Sequence, residues 1–333
     1  MRSVPWGGAS AYPFRVPTLP SRPRSRPRSP RVVVLGDLML DVVLAPDRPL
    51  ESGTDVPGRV EFRQGGSAAT TARWLALLGA RTSLVAAVGR DPAGRALVAA
   101  LRADGVVPRV ARVAGARSGR IGVVVAPDGE RSFVTDRGAA DRLTAGDVRA
   151  AWFAGADAFH LPAYSLHGEP LGLAGRRAIQ LARAAGATIS LDVASIGPLL
   201  ARGRRPAQQL VEGASADLLF ATAAEAEALL GRSAVDGLLD FARLAVVKRG
   251  AQGATVLARE GQDRLRFEVA TEHLVVTDTT GAGDAFDAGF LHAWLVGRGA
   301  GQSVTAALQR AALAGHRAAA RHLTGPRSEV ALA

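Results

Sequence analysis

From Arg31 onward the chain alternates short apolar runs with longer amphipathic ones, and this alternation constrains the fold more than any other feature. "RVVVLGD" (31–37) reads as a buried strand closed by Gly and Asp, "SAATTARWLALLGA" (67–80) as a helix stopped by glycine, and "RTSLVAAVG" (81–89) as a second strand. "DPAGRALVAALRADG" (91–105) follows as a helix with Asp91 as its cap, Pro92 in its first turn and Gly105 at its end. Further strands are predicted at 157–161, 187–192, 217–220 and 244–248, separated by helical stretches near 170–185, 206–213 and 223–242. Such alternation builds an α/β fold with a parallel sheet covered by helices. Residues 42–63 and 108–135 break the rhythm with short strands and turn signals such as "PDG" (127–129), and are predicted to form a small inserted β lid.

Composition narrows the function. A chain of 333 residues, 48% hydrophobic, can bury a large core. No apolar run approaches the ~18 residues of a membrane span, and residues 311–320 are interrupted by Gly315, His316 and Arg317, so a soluble protein with no membrane partner is expected. Zero cysteine excludes disulfides, thiolate metal sites and a cysteine nucleophile, and a cytoplasmic location is expected. The net charge of +11 is uneven: residues 1–30 hold six arginines, no acid and seven of the 18 prolines. "SRPRSRPRSPR" cannot bury enough apolar surface to offset chain entropy, so residues 1–30 are predicted to be a disordered basic tail. It is either a targeting or polyanion-binding arm or a solvated extension; the second reading is favoured, and nucleic acid is not an expected partner. Asparagine is absent and Lys248 is the only lysine, which biased codon usage explains without chemistry.

The segment "DTTGAGDAFDAGF" (278–290) concentrates glycines, hydroxyls and carboxylates where a helix begins. The preceding "TEHLVVTD" reads as a strand, and "AFDAGFLHAWLVG" places apolar residues at helical spacing. Gly281 and Gly283 then fall in a strand-to-helix turn, with Asp284 in the first helical turn. Unpaired amides at a helix start stabilise an anion, and glycine lets a phosphate approach the backbone. Asp284 is either a helix-start carboxylate or a general base, taking a proton from a hydroxyl that attacks a phosphorus held by the same turn. Spacing alone leaves both readings open.

With "GD" at 36–37, Asp41, "GGSAAT" at 65–70 and "VVKRGAQGA" at 246–254, this segment resembles the ribokinase, or phosphofructokinase B, family of carbohydrate kinases, from about residue 31 to about 325, with 326–333 as a C-terminal tail. "VGRDPAGR" (88–95) and "SGRIGVVVAPDGERSF" (118–133) are similar to family segments as well. The resemblance implies a ribokinase-like, mostly parallel sheet of about eight or more strands with a β lid, and transfer of the ATP γ-phosphate to a sugar-like alcohol. It implies Asp284 as base and the backbone of Gly281, Ala282 and Gly283 as anion hole, with Asp41 and the Gly65–Gly66 turn meeting substrate hydroxyls. A carboxylate suits that task because it accepts bonds from two adjacent hydroxyls.

Lys248, Gly250 and Gly253 fall where such kinases line the nucleotide site; Lys248 either reaches a phosphate or is a charge at a strand end. Glu225, in "DLLFATAAEAEALLG" (217–231), matches the acid that orders Mg2+ through water, while Asp278 and Thr280 either match a monovalent-cation (K+) site of some members or serve as structural caps. Asparagine is replaced at several family positions: by Thr70 at the end of the "GGxAAN" pattern, by Thr222, and by Asp287. Threonine cannot donate through an amide, so Thr70 bears on sugar recognition. Asp192 is either a phosphate-side acid or a plain strand end, and the spacing of His160 and His167 fits no usual metal pair. The resemblance leaves the acceptor open between sugar and nucleoside, a sugar-binding sensor with weakened catalysis as an alternative, and a homodimer through the lid as an arrangement to test.

Overall fold

The computed structural model describes residues 28–332 apart from 129, 232–233, 262, 275, 277, 300–302 and 327–328. The tail expected over residues 1–30 thus lies, up to residue 27, outside the described residues. Thirteen strands are described: β1 (Arg31–Leu35), β2 (Met39–Pro46), β3 (Gly58–Gly65), β4 (Arg81–Gly89), β5 (Val107–Val113), β6 (Arg120–Val125), β7 (Arg131–Asp136), β8 (Ala158–Pro162), β9 (Thr188–Asp192), β10 (Leu218–Thr222), β11 (Leu244–Lys248), β12 (Ala254–Glu260) and β13 (Asp263–Val269). The α-helices are α1 (Ser67–Leu77), α2 (Pro92–Ala103), α3 (Leu171–Ala184), α4 (Ile196–Leu200), α5 (Arg204–Ala214), α6 (Ala223–Leu230), α7 (Ala282–Gly299) and α8 (Val304–Thr324).

Nine strands form one sheet in the order β13-β12-β11-β10-β9-β8-β1-β4-β5, parallel except for β12 and β13 at one edge. Both faces are covered, which is why the central strands read as continuous apolar runs. In β1, Val33 and Leu35 join one buried cluster while Val32 and Val34 join the other. Because β1 pairs with β4 on one side and β8 on the other, the winding reverses there, and a ligand crevice is expected beyond the carboxyl ends of those two strands. A separate four-stranded sheet, β3-β2-β6-β7, forms the lid.

Three details depart from the pattern reading. Val107–Val113 pairs in parallel with β4 as the edge of the main sheet, so the second arm of the lid begins at Arg120. The helix expected over 223–242 stops at Gly231, whose left-handed conformation closes α6, and a 3-10 helix covers Val235–Asp240. None of the described residues of 271–278 is in a strand. Near the C-terminal end, Glu329 bridges Arg63 and the Val330 amide donates to the Phe62 carbonyl at 2.7 Å, so Glu329 and Val330 lie along the free edge of β3.

Candidate active site

A cavity of about 1130 Å³ opens at that reversal, between the main sheet and the inner face of the lid. Alternation along the lid strands sends Asp41 and Val43 of β2, Ile121 and Val123 of β6 and Phe133 of β7 into it. Asp37, one residue past Gly36 at the end of β1, and Tyr164, just past β8, line the floor. The starts of α1 and α7 converge on the same space. The Asp37 carboxylate accepts the Ala68 amide at 3.1 Å, and Asp284, in the first turn of α7, accepts the Ser67 hydroxyl at 2.5 Å.

Asp41, Gly65, Gly66, Thr70, Asp278, Thr280, Gly281 and Asp284, all singled out from the sequence, line this one cavity. Asp41 lies against Gly65 across the β2–β3 ladder. A Cβ on Gly65 would stand 1.8 Å from Asp41 Oδ1, so only glycine leaves room for that carboxylate. Asp41 Oδ1 is buried and has no partner among the described residues. Burial, with the nearby Asp37 charge, pushes the Asp41 carboxyl up to about 7. Burial likewise raises Asp284 to about 8, with Asp192 and Asp37 adding to it while the Ser67 hydrogen bond and Lys248 oppose it. The Thr70 hydroxyl donates to the Gly66 carbonyl at 3.0 Å. Ala282 and Gly283 open α7; the Ala282 amide donates to the Thr279 carbonyl at 3.2 Å.

The remaining residues lie on the other side of α7's first turn. Lys248, 10% exposed, donates to Asp192 at 3.2 Å and to Asp287 at 3.0 Å, and its ammonium would be 3.3 Å from a Cβ on Gly283. Burial works against its charge, but Asp192, Asp287 and Glu225 hold it well above the ordinary lysine range. Burial raises Asp287 and Glu225 in turn. Thr222 caps α6 in a reciprocal box: Glu225 accepts the Thr222 amide at 2.7 Å and the Thr222 hydroxyl accepts the Glu225 amide at 3.2 Å. Gly250 and Gly253 bound the turn from β11 to β12. His160 is fully buried against Ser190, 3.0 Å away, and burial lowers it to about 4, so it is neutral.

Among the described residues no group of three or more His, Cys, Asp or Glu is arranged to hold a metal ion. Asp192 and Glu225 nonetheless bring two carboxylates near one another beside Lys248, and such hard oxygen donors fit a hydrated Mg2+ that keeps its waters and takes its other ligands from phosphate. The monovalent-cation site does not fit. Asp278 accepts Arg131 at 2.6 Å, Arg63 at 3.3 Å and the Thr280 amide at 2.9 Å; the Thr280 hydroxyl is bound by Arg131 and its carbonyl by His322 at 2.7 Å.

Ser67, Trp74, Arg131, Arg137, Tyr164 and His322 also line the cavity. Ser67 and Arg131 fall inside motif segments whose glycines and acids drew attention first. His322 sits in an alanine-rich helix, and no local pattern marks it.

A doubly covered, mostly parallel sheet with a β lid and an acid at a glycine-flanked helix start defines a ribokinase-like phosphotransferase. The pfkB carbohydrate kinase pattern matches residues 29–329, and the chain belongs to that family. It is 33% identical to fructokinase-1 of Oryza sativa subsp. japonica over 272 residues, 78% of this chain and 81% of that one. Adenosine kinase from Sinorhizobium meliloti superposes with a TM-score of 0.76 at 26% identity, covering 92% of this chain and 98% of that one. An E. coli protein assigned as ribokinase II and solved with ATP and Mg2+ has the same fold, with a TM-score of 0.71 at 23% identity over 90% and 94% of the two chains. No helix among the described residues is long and apolar enough to cross a membrane. The activity of this family member is ATP-dependent phosphoryl transfer to a sugar-like alcohol.

Proposed function

We propose that the chain phosphorylates a ketohexose or related sugar, with Asp284 as general base and the start of α7 as the anion-binding cradle. The observation that carries this reading is a single one: a carboxylate on the cavity floor, bound by Ser67 at 2.5 Å and sharing its helical turn with Gly281 and Gly283. Sugar hydroxyls dock on the unpartnered Asp41 oxygen and the Gly65–Gly66 turn while the lid excludes water. Asp284 accepts the proton of the attacking hydroxyl, and the helix-start amides meet charge developing on the transferred phosphoryl group. Asp192 and Glu225 are the carboxylates that would hold a hydrated Mg2+, which would supply charge neutralisation at the phosphates. Lys248 acts from beneath, keeping Asp192 and Asp287 in place rather than touching phosphate.

The test is Asp284→Asn. Turnover is expected to fall by about 10²–10⁴-fold, as for loss of a positioned base, with ATP affinity kept. Unchanged turnover in folded protein rejects the role. A nucleoside acceptor is the second reading, favoured by the cavity's Trp74 and Phe133, either of which offers a face for a base. Initial rates with fructose, ribose, a sugar acid and adenosine separate the two.

The lid also bears on assembly. On its outer face Val60 and Val134 are 61% and 74% exposed, and Phe62 stands beside Val42 across the ladder. We infer that a second copy covers this apolar face. Val134→Lys is expected to convert a dimer to a monomer in sedimentation; a wild-type monomer at micromolar concentration removes the inference.

A further inference from the structure

The turn that leads into the α7 cradle is held by two side chains from distant elements. From the lid, Arg131 donates through Nη1 to Asp278 at 2.6 Å and to the Thr280 hydroxyl, and through Nη2 to the Thr279 hydroxyl at 2.8 Å. From the end of α8, His322 meets the Thr280 carbonyl at 2.7 Å through Nε2, while its Nδ1 lies 3.0 Å from the indole nitrogen of Trp74. An indole N–H only donates, so Nδ1 must be the acceptor and the ring proton sits on Nε2, aimed at Thr280. Gly281 makes this approach feasible: a Cβ there would stand 2.7 Å from His322 Nε2. The Asp278 carboxylate and both oxygens of Thr280 are thereby engaged by protein donors.

We propose that this kinase carries its own cation at the 278–281 turn, the Arg131 guanidinium assisted by the neutral His322 ring, and is therefore independent of K+. The inference rests on the kinase reading for its activity arm only. Arg131 and His322 are positioning residues: they fix the carbonyl and carboxylate that precede the cradle, and so the direction in which its amides point. A mobile monovalent ion would need the same oxygens, each of which already accepts a charge-assisted bond from arginine or the 2.7 Å bond from His322. Displacing a guanidinium tethered to a sheet with a hydrated ion would also leave Arg131, 15% exposed, without its partners.

Two independent arms test this. In the first, wild-type turnover is compared in KCl and choline chloride at equal ionic strength; agreement within about two-fold is expected. Arg131→Ala should lose about ten-fold in choline chloride and recover in KCl, because the vacated oxygens then suit an ion. His322→Gln, whose amide can accept from Trp74 and donate to Thr280, should retain activity, whereas His322→Phe should raise the KM for ATP more than the KM for the sugar. Several-fold activation of wild type by K+, or His322→Gln as impaired as His322→Phe, overturns the proposal. The second arm needs no turnover: melting temperature in KCl against choline chloride, and crystals soaked in RbCl. Wild type should show no K+-specific stabilisation and no anomalous peak between Asp278 and Thr280, and Arg131→Ala should show both. A rubidium peak at that position in wild type refutes the proposal whatever the fate of the kinase reading. Absence of activity on every sugar, with wild type lacking the peak and Arg131→Ala showing it, leaves this inference standing and removes the other.

Discussion

The two sides of α7's first turn handle charge in opposite ways. On the side facing the cavity, polar atoms lack protein partners: Asp41 Oδ1, both side-chain ends of Gln64 and Arg137 Nη2 are buried with no hydrogen bond among the described residues. On the other side most of the charge is compensated: Lys248 is clamped between Asp192 and Asp287, Glu225 accepts the amide of a helix cap, and Phe220 places its ring 5.8 Å from the ammonium. Asp287 Oδ1 alone among these carboxylate oxygens is buried without a hydrogen bond among the described residues. Unpaired buried polar atoms are costly, so a protein that leaves several in one cavity has left them for a ligand. The compensated side has the character of a scaffold. Its charges pack against α7 and set the field at Asp284. The contrast separates residues that should fail in binding and catalysis from residues that should fail in folding.

The largest expected effect therefore lies on the compensated side. Lys248→Met leaves Asp192, Asp287 and Glu225 buried around no cation, and breaking a buried ion pair in this way costs about 3–5 kcal/mol. Chemical denaturation at pH 7 should show that loss, and it should shrink as pH falls and the acids take up protons. On the cavity side the sign differs. Asp41→Asn removes a buried carboxylate that pairs with nothing at Oδ1, so stability should hold or rise while the KM for the sugar increases at least ten-fold at pH 8. Because burial raises its carboxyl to about 7, the unaltered Asp41 accepts hydroxyl bonds fully only above that pH, and the wild-type KM should rise as pH drops from 8 to 6. Equal destabilisation by the two substitutions would erase the distinction.

How far the sequence discloses this arrangement follows the same division. Parallel strands covered on both faces carry their own apolar signature, so β8 through β11 are legible to within a residue or so at each end. Acids and glycines in the motif segments are legible as cavity-lining residues, as at Asp41, Gly65 and Asp284. Other partners escape a local reading because they arrive from afar: His322 reaches the turn 42 residues upstream, and Arg131 spans 147 residues to Asp278. The run 271–278 has the composition of a strand, yet none of its described residues pairs with the sheet, so composition alone misleads there. Substitutions at family asparagine positions are read most clearly in coordinates. Thr222 serves as a helix cap and Asp287 as a counterion, so each has acquired a structural partner that suits the new side chain.

The finest test of the contrast is the link between its halves, the bond from Ser67 to Asp284. Asp284 is pushed up to about 8 by burial, then by Asp192 and Asp37, and Ser67 is the neighbour that most favours its charged form. A general base must be unprotonated, so kcat/KM should climb with pH and level off above about 8. Ser67→Ala removes a hydrogen bond to a charged acceptor, worth roughly 1.5–3 kcal/mol, which corresponds to about one to two pKa units. The sign is fixed, since losing a donor to the carboxylate raises its pKa. The rising limb should thus move to higher pH, with activity near pH 7 down about ten-fold or more and the two profiles converging toward pH 10. A uniform drop at every pH would mean that Ser67 merely packs α1 against α7, and a limb shifted to lower pH would contradict the assignment of Asp284 as the base.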